Sequence, residues 1–403
     1  MATKLFPKND STTEPVAYLP LPTSLVNSTV SIGGLLSTTQ GSSSHAQIIP
    51  TAAGPATRFS FIRVSPPLTA GVTISSTVTL NVRGAENSMS ANIGARVEVY
   101  RVNAATGTLS AQLLTTPNFG TEFGTSESAN NWTSAITSTA FNRGDRILVA
   151  FGFTDTGGTQ ASGFTGTLWE DGAAGATGDS WISFTETLTF ETPGSAPAGT
   201  TVYLTNTASD ISTADNDLTA DFSRGSGSTT ATRNPGAGPV SATQFQTTGT
   251  NVRWYTGQLS AVTLTGRVEA HLWSTAGANL SALYAIKVFK RDTGGTETDI
   301  AYGVCAQVHS GAAYIGNVGA DAVIYAAISD SVSLADGDRL GFIVYTDDYY
   351  SGNHTNSSDT LSYSGTSGGA AGDTYVIFNQ TLSAFTPASY IPRPRVYPQL
   401  LAQ

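Results

Sequence analysis

The chain has 403 residues, a formal net charge of −10 and only 12% charged residues. Phosphate affinity rests on Lys and Arg, and no basic run occurs, so a nucleic-acid partner is not expected. Cys305 is the only cysteine, which rules out an intrachain disulfide, and no apolar run is long enough for a signal core or a membrane span.

Taken in chain order, the elements are short and extended. Lys4-Leu5-Phe6 reads as a first strand, and residues 9–54 as long Ser/Thr/Pro-rich connections with one or two short strands. Strands follow over 58–64, 72–82 and 95–102, a turn over 103–107, and a Gly/Ser/Asn loop over 118–131. Residues 139–145 lead into a strand over 146–153, a Gly-rich excursion spans 155–178, and 181–190 closes the unit. Pro193-Gly194-Ser195-Ala196-Pro197-Ala198-Gly199 reads as a linker, because Pro and Gly together break regular structure. Beyond it the order repeats, with excursions over 209–249 and 347–372. No stretch of ten or more residues keeps a helical period.

Five landmarks recur in the same order at an offset of roughly 190 to 200 positions, the mark of one duplicated unit. Val72, Ile74, Ser76, Val78, Leu80 and Val82 match Val262, Leu264, Gly266, Val268, Ala270 and Leu272. Val97 to Arg101 match Ile286 to Lys290, Phe141 to Ile147 match Leu334 to Leu340, and Gly178 to Phe184 match Gly372 to Phe378. Lys4-Leu5-Phe6 pairs with Val202-Tyr203-Leu204. The strands over 262–272 and 286–291 read as a hairpin-like unit, closed by the turn Asp292-Thr293-Gly294-Gly295.

Many short strands with turns between them imply an all-β protein: tandem duplicated jelly-roll-like β-sandwich domains with an extended C-terminal arm. The boundaries are 1–192 for the first sandwich, 193–199 for the linker, 200–385 for the second sandwich and 386–403 for the arm. Pro387, Pro392, Pro394 and Pro398 keep the arm extended, and its apolar Tyr390 and Tyr397 beside Arg393 and Arg395 suit docking on a neighbouring subunit.

No catalytic residue, metal ligand set or cofactor site emerges. Gly365-Thr366-Ser367-Gly368-Gly369 fits the esterase pattern G-x-S-x-G, yet no helix signal follows the serine. His45, His271, His309 and His354 lack a second ligand at metal spacing. The acidic groups Asp210, Asp215, Asp217 and Asp221, Asp336 and Asp338, and Asp347 and Asp348 do not fit the calcium-loop spacing and read as turn formers. Arg143-Gly144-Asp145 spells an adhesion tripeptide, but its counterpart Asp336-Gly337-Asp338 lacks the arginine, so a turn explains it better. Trp132, Trp169, Tyr349, Tyr350 and Tyr363 are placed in loops, as aromatics for a subunit interface or for stacking on a sugar.

The start Ala2-Thr3-Lys4-Leu5-Phe6 resembles a group of tailed-bacteriophage virion proteins. So do the core Val262-Thr263-Leu264-Thr265-Gly266-Arg267-Val268 with its polar loop and following strand, the strand start Gly337-Asp338-Arg339, and the closing strand over 375–378. Those proteins are similar to one unit where this chain has two. The resemblance implies a non-enzymatic β-sandwich component of a phage particle, on capsid, neck or tail, with no catalytic residues to carry over. Copies of itself and other virion proteins would be its partners. The chain would be made in the host cytoplasm and reside in the virion. A glycan- or receptor-binding module of a tail fibre or adhesin is the alternative.

Overall fold

The computed structural model describes residues 2–9, 31–51, 57–156, 163–191, 197–213, 215–232, 243–247, 250–275, 282–304, 320–348, 360–365 and 373–386. Every regular element among them is a strand. The first half holds β1 Thr3–Pro7, β2 Ser31–Ser37, β3 His45–Pro50, β4 Arg58–Val64, β5 Val72–Ile74, β6 Thr77–Glu86 and β7 Ile93–Val102. It continues with β8 Asn118–Glu122, β9 Ser128–Ala135, β10 Thr139–Phe141, β11 Arg146–Asp155, β12 Thr165–Glu170 and β13 Trp181–Phe184. The second half holds β14 Thr201–Ala208, β15 Asn216–Asp221, β16 Thr229–Thr232, β17 Thr243–Gln244, β18 Gln246–Thr247, β19 Thr250–Thr256, β20 Val262–Leu264 and β21 Arg267–Thr275. Then come β22 Ala282–Arg291, β23 Glu297–Val304, β24 Ala320–Ala327, β25 Val332–Leu334, β26 Arg339–Asp348, β27 Thr360–Tyr363 and β28 Tyr375–Phe378.

Each half is a jelly-roll-like sandwich of two layers. In the first, β6 carries β9 on one edge, while β13 and β12 share its other edge end to end; β1 extends β13 and β3 extends β12. The facing layer runs β2-β4-β11-β7-β8, and pairing of β1 with β2 ties the two together. Period-two alternation puts Val78, Leu80 and Val82 of β6 against Val97 and Val99 of β7 and Val149 and Phe151 of β11, all fully buried.

The second half repeats this plan. β21 carries β24 on one edge and β28 and β27 on the other; β14 extends β28, β16 extends β27, and β15-β19-β26-β22-β23 faces them. Single hydrogen bonds recur too. Ser65 Oγ accepts the Ile147 N–H at 2.9 Å, as Thr256 Oγ1 accepts that of Leu340 at 3.0 Å. Ser180 Oγ donates to the Trp169 carbonyl at 2.6 Å and accepts the Arg83 N–H at 3.0 Å. Thr374 Oγ1 does the same for the Ser362 carbonyl and the Trp273 N–H, at 2.5 and 3.1 Å. Replacing Thr374 by the isosteric Val should lower stability by about 1–3 kcal/mol, since it strands a buried donor and an acceptor; the midpoint of urea unfolding measures it.

Several expectations need correction. The run 72–82 is two strands, because β5 pairs with β10 in a separate small sheet before β6 begins. The same break in the second half falls at Gly266, whose φ of +81° a β-branched residue would resist. The strands over 262–272 and 286–291 do not form a hairpin: β21 and β22 lie in opposite layers, and the turn at Asp292–Gly295 joins β22 to β23. Lys4-Leu5-Phe6 matches Thr201-Val202-Tyr203, one place earlier than the sequence match, since Leu5 pairs with Ile182 and Val202 with Val376. A one-residue slip reverses which side chains face inward, so this register puts Leu5 and Val202 in the two cores. The supposed loop over 118–131 and the three excursions contain β8, β9, β12, β15 to β18 and β27. These strands are rich in Ser, Thr, Gly and Asn. In β16 only Ala231 is fully buried, which leaves little hydrophobic alternation to read.

The halves are packed on one another. Ile62, Val64, Tyr100, Val102, Leu148 and Ala150, on the outer side of the β4-β11-β7 layer, belong to one buried cluster with the core of the second half. The Tyr302 N–H donates to the Ala104 carbonyl at 2.9 Å, and the Asp330 N–H to that of Arg143 at 3.3 Å. A Cβ on Gly107 would come within 2.2 Å of the Tyr302 ring, so the close approach needs glycine there. The proposed arm, 386–403, lies outside the described residues apart from its first position.

Candidate functional site

At one place in their interiors the two sandwiches differ in chemistry. In the first, Arg63 of β4 and Glu170 of β12 bridge the layers with both side chains wholly buried. Arg63 Nε donates to Glu170 Oε2 at 2.8 Å and Nη2 to Oε1 at 2.5 Å, the paired fork that guanidinium and carboxylate geometry favours. A third donor, Nη1, reaches the Ile62 carbonyl at 2.8 Å, and the guanidinium lies 5.0 Å from the Phe61 ring. Gly34, at φ +130°, lets β2 pass close by, since a Cβ there would fall 2.7 Å from Arg63 Nε. His45 approaches Glu170 at 3.6 Å from the partly exposed side. In the second half the matching positions are Trp254 and Tyr363, packed edge to face at 5.2 Å. Trp254 Nε1 donates to the Thr205 carbonyl at 3.1 Å. Burial raises the Tyr363 hydroxyl above its ordinary value.

Tyr363 is therefore not a loop aromatic: it sits on β27 and is 1% exposed. Trp132 is also a strand residue, on β9, where its ring covers Phe119 at 5.4 Å and its Nε1 donates to the Thr116 carbonyl. Trp169 lies on β12, half-buried on the outer face. Opposite it on β3 is Ala46, followed on the same face by Ile48 opposite Thr167 and Pro50 opposite Thr165. Ala46 and Pro50 are exposed, and Ile48 is 64% exposed, the most exposed large apolar side chain among the described residues. Arg83, next to Trp169 on β6, pairs with Glu127 at 3.6 Å and bounds this uncharged strip. The strip is a candidate contact surface, and β3 falls within 9–54, where the sequence implies one or two short strands without placing them. Its signal was the alternation of Ala46, Ile48 and Pro50, shortened by the turn residues on either side.

Tyr349, Tyr350, Tyr390, Arg393, Arg395 and Tyr397 lie outside the described residues, as do Cys305, His309, His354 and Ser367. Among the described groups, chemistry gives way to structure. Asp145 of the Arg143-Gly144-Asp145 turn is fully buried, accepting the N–H groups of Asn142 at 2.7 Å and Ala104 at 2.9 Å and Arg101 Nε at 2.7 Å. Burial raises its carboxyl despite those partners, and it is unavailable to a receptor. Asp338 matches it, accepting the Ala335 N–H at 2.8 Å and pairing with Lys290. Asp217 caps Thr213, Asp215 pairs with Arg253 at 2.5 Å, and Asp210 holds Arg339 beside a surface cleft of about 440 Å³. Ser364 has a positive φ of 66° and Asp171 at the matching place has 64°, a turn repeated in both halves. His271 stacks on Tyr375 at 4.4 Å and bonds Glu269 at 2.6 Å.

Glu86, 2% exposed at the end of β6, is pushed up to about 7 by burial, reinforced by the neighbouring Glu122, with the Ile93 N–H pulling the other way. Its folded-state value lies above the ordinary 4.5, so its contribution is complete below that value and is lost as pH climbs through about 7. The urea midpoint should fall between about pH 5 and pH 8, and Glu86→Gln should flatten that slope and be the more stable form at the upper end.

No protein-family model and no curated protein matches the chain. Among solved structures, an α-amino acid ester hydrolase is similar over 45% of this chain and 36% of its own, at 9% identity and a TM-score of 0.33. A CocE/NonD family hydrolase from Staphylococcus aureus is similar over 44% of this chain and 36% of its own, at 15% identity and a TM-score of 0.30. A tandem CBM22 domain from Paenibacillus barcinonensis Xyn10C covers 85% of this chain and 99% of its own, at 11% identity and a TM-score of 0.18. The match thus spans about a third of the hydrolases' length.

Proposed function

We propose that this chain is a non-enzymatic structural component of a tailed-phage virion, a decoration or accessory protein of capsid, neck or tail. The observation that carries the reading is the double sandwich itself. One plan is built twice, and the two copies share a buried cluster and backbone hydrogen bonds, which suits a rigid building block. Among the described residues, Asp210, Asp215, Asp217, Asp221, Asp336, Asp338 and Asp145 of the adhesion-like tripeptide serve turns, caps or ion pairs. Contacts with copies of itself and with other virion proteins would fall to exposed strips such as Ala46, Ile48 and Trp169. Mass spectrometry of purified particles tests this directly: the chain is expected in fixed proportion to the major capsid or tail protein. Its absence from particles, together with glycan-array binding that Trp169→Ala abolishes, would instead make it a glycan-binding module.

A further inference from the structure

The two halves end one layer differently. In the second, β16 pairs with β27 on one side and with β18 on the other, Thr232 opposite Gln246, and β18 continues into β19. That closes the ring of strands. In the first half β3 takes the place of β16, with Ile48 standing where Thr232 stands. Among the described residues β3 pairs with β12 alone. Seven positions separate Pro50 from Arg58, against seventeen between Thr232 and Thr250.

We infer that the open edge of β3 is filled by β3 of a second copy, antiparallel about a two-fold axis at Gln47. This rests on the reading of the chain as an assembly component and names the contact it uses. The Thr51 N–H donates to the Phe164 carbonyl. Antiparallel alternation then directs the backbone groups of Ile49, Gln47 and His45 toward β12 and those of Ala46 and Ile48 outward. A two-fold at Gln47 sets Ala46 of one copy opposite Ile48 of the other, so the outward N–H and carbonyl groups pair mutually. An isologous contact of this kind is self-complementary and closes as a dimer. Charge favours the place as well. Two chains of net charge −10 repel, yet β3 reads His45-Ala46-Gln47-Ile48-Ile49-Pro50, with no carboxylate and no lysine. Edge strands that must stay single carry lysine, proline, an inward charge or a bulge; Ala46 to Ile49 has none of these, and a two-fold at Gln47 sets Pro50 opposite Ser44, outside the paired positions. Pairing would also cover the exposed Ile48 and extend the Ala46–Trp169 strip across the axis.

Ile48→Pro separates this contact from folding. It deletes an N–H that faces outward, leaves the bonds to β12 intact, and proline is tolerated at such edge positions. Sedimentation equilibrium of the full chain should show a monomer–dimer equilibrium that weakens about 30-fold in Ile48→Pro, two hydrogen bonds being lost per dimer. Ile48→Lys should weaken it as well, and both variants should keep the wild-type urea midpoint at concentrations where the wild type is monomeric. A wild type that stays monomeric at high concentration, or a dimer that neither variant weakens, would overturn the inference. Presence of the chain in particles is read separately: a monomer found there refutes only the β3 contact, and a dimer missing from them refutes only the virion reading.

Discussion

Glu170→Ala should lower the stability of the protein by about 3–5 kcal/mol, read as a shift in the denaturant midpoint at unchanged slope. The loss is large because Arg63 cannot shed its charge or reach water. Its guanidinium is fully buried, and the paired contact with Glu170 supplies most of its compensation. The 3.6 Å approach of His45 belongs to Glu170 and does nothing for Arg63 once the carboxylate is gone. Removing both charges is a different experiment. Arg63→Met with Glu170→Leu fills a similar volume without a stranded ion and should lie close to the wild type or above it, because desolvation offsets much of a buried pair's attraction. Equal losses in the single and double variants would mean that shape, not charge, governs this position.

Trp254→Ala should cost a similar amount, about 3–5 kcal/mol, by the opposite route. The indole is wholly buried between the layers, and its removal leaves a cavity beside Tyr363. Trp254→Phe separates the two contributions. It keeps most of the apolar volume but withdraws the donor from the Thr205 carbonyl, so a loss of about 1–3 kcal/mol is expected. Thermal or urea unfolding of the three proteins side by side provides the comparison. The variants at 170 and 254 probe the same inter-layer position of the two sandwiches, held by charge in one and by aromatic packing in the other.

The duplication could be read from the sequence because its landmarks sit on strands with one buried face, where Val78, Leu80 and Val82 and their counterparts Val268, Ala270 and Leu272 alternate clearly. The pairing of those strands could not. A period of two says that a strand is half buried but not which strand lies beside it, so β21 and β22 looked like neighbours while belonging to facing layers. Short polar strands such as β8 and β16 escaped because Ser, Thr and Asn are also turn residues. The exchange of Arg63 and Glu170 for Trp254 and Tyr363 was hidden for another reason. The partners lie far apart in the chain, and a lone arginine in a strand reads as outward-facing. Tyr363 was placed on the surface by that logic in reverse, since its Ser/Gly-rich neighbours suggested a loop.

The junction between the halves joins unlike surfaces. The first half offers the outer side of β4, β11 and β7 with the turns that follow β7 and β10, and the second answers with β23 and the end of β24. A head-to-tail joint of this type could in principle repeat without limit, adding a third and fourth sandwich as a growing rod. The matching face of the second half keeps a small apolar cluster of Tyr255, Phe289 and Ile343 but differs around it. Where the first has Ile62 and Val102, it has Arg253 and Arg291, both ion-paired with Glu297. Where the first has Val64, it has Tyr255, whose hydroxyl donates to the same glutamate at 2.8 Å. A further sandwich could not dock there by the same contacts, because ion-paired arginines and a tyrosine hydroxyl stand where the first half offers aliphatic side chains.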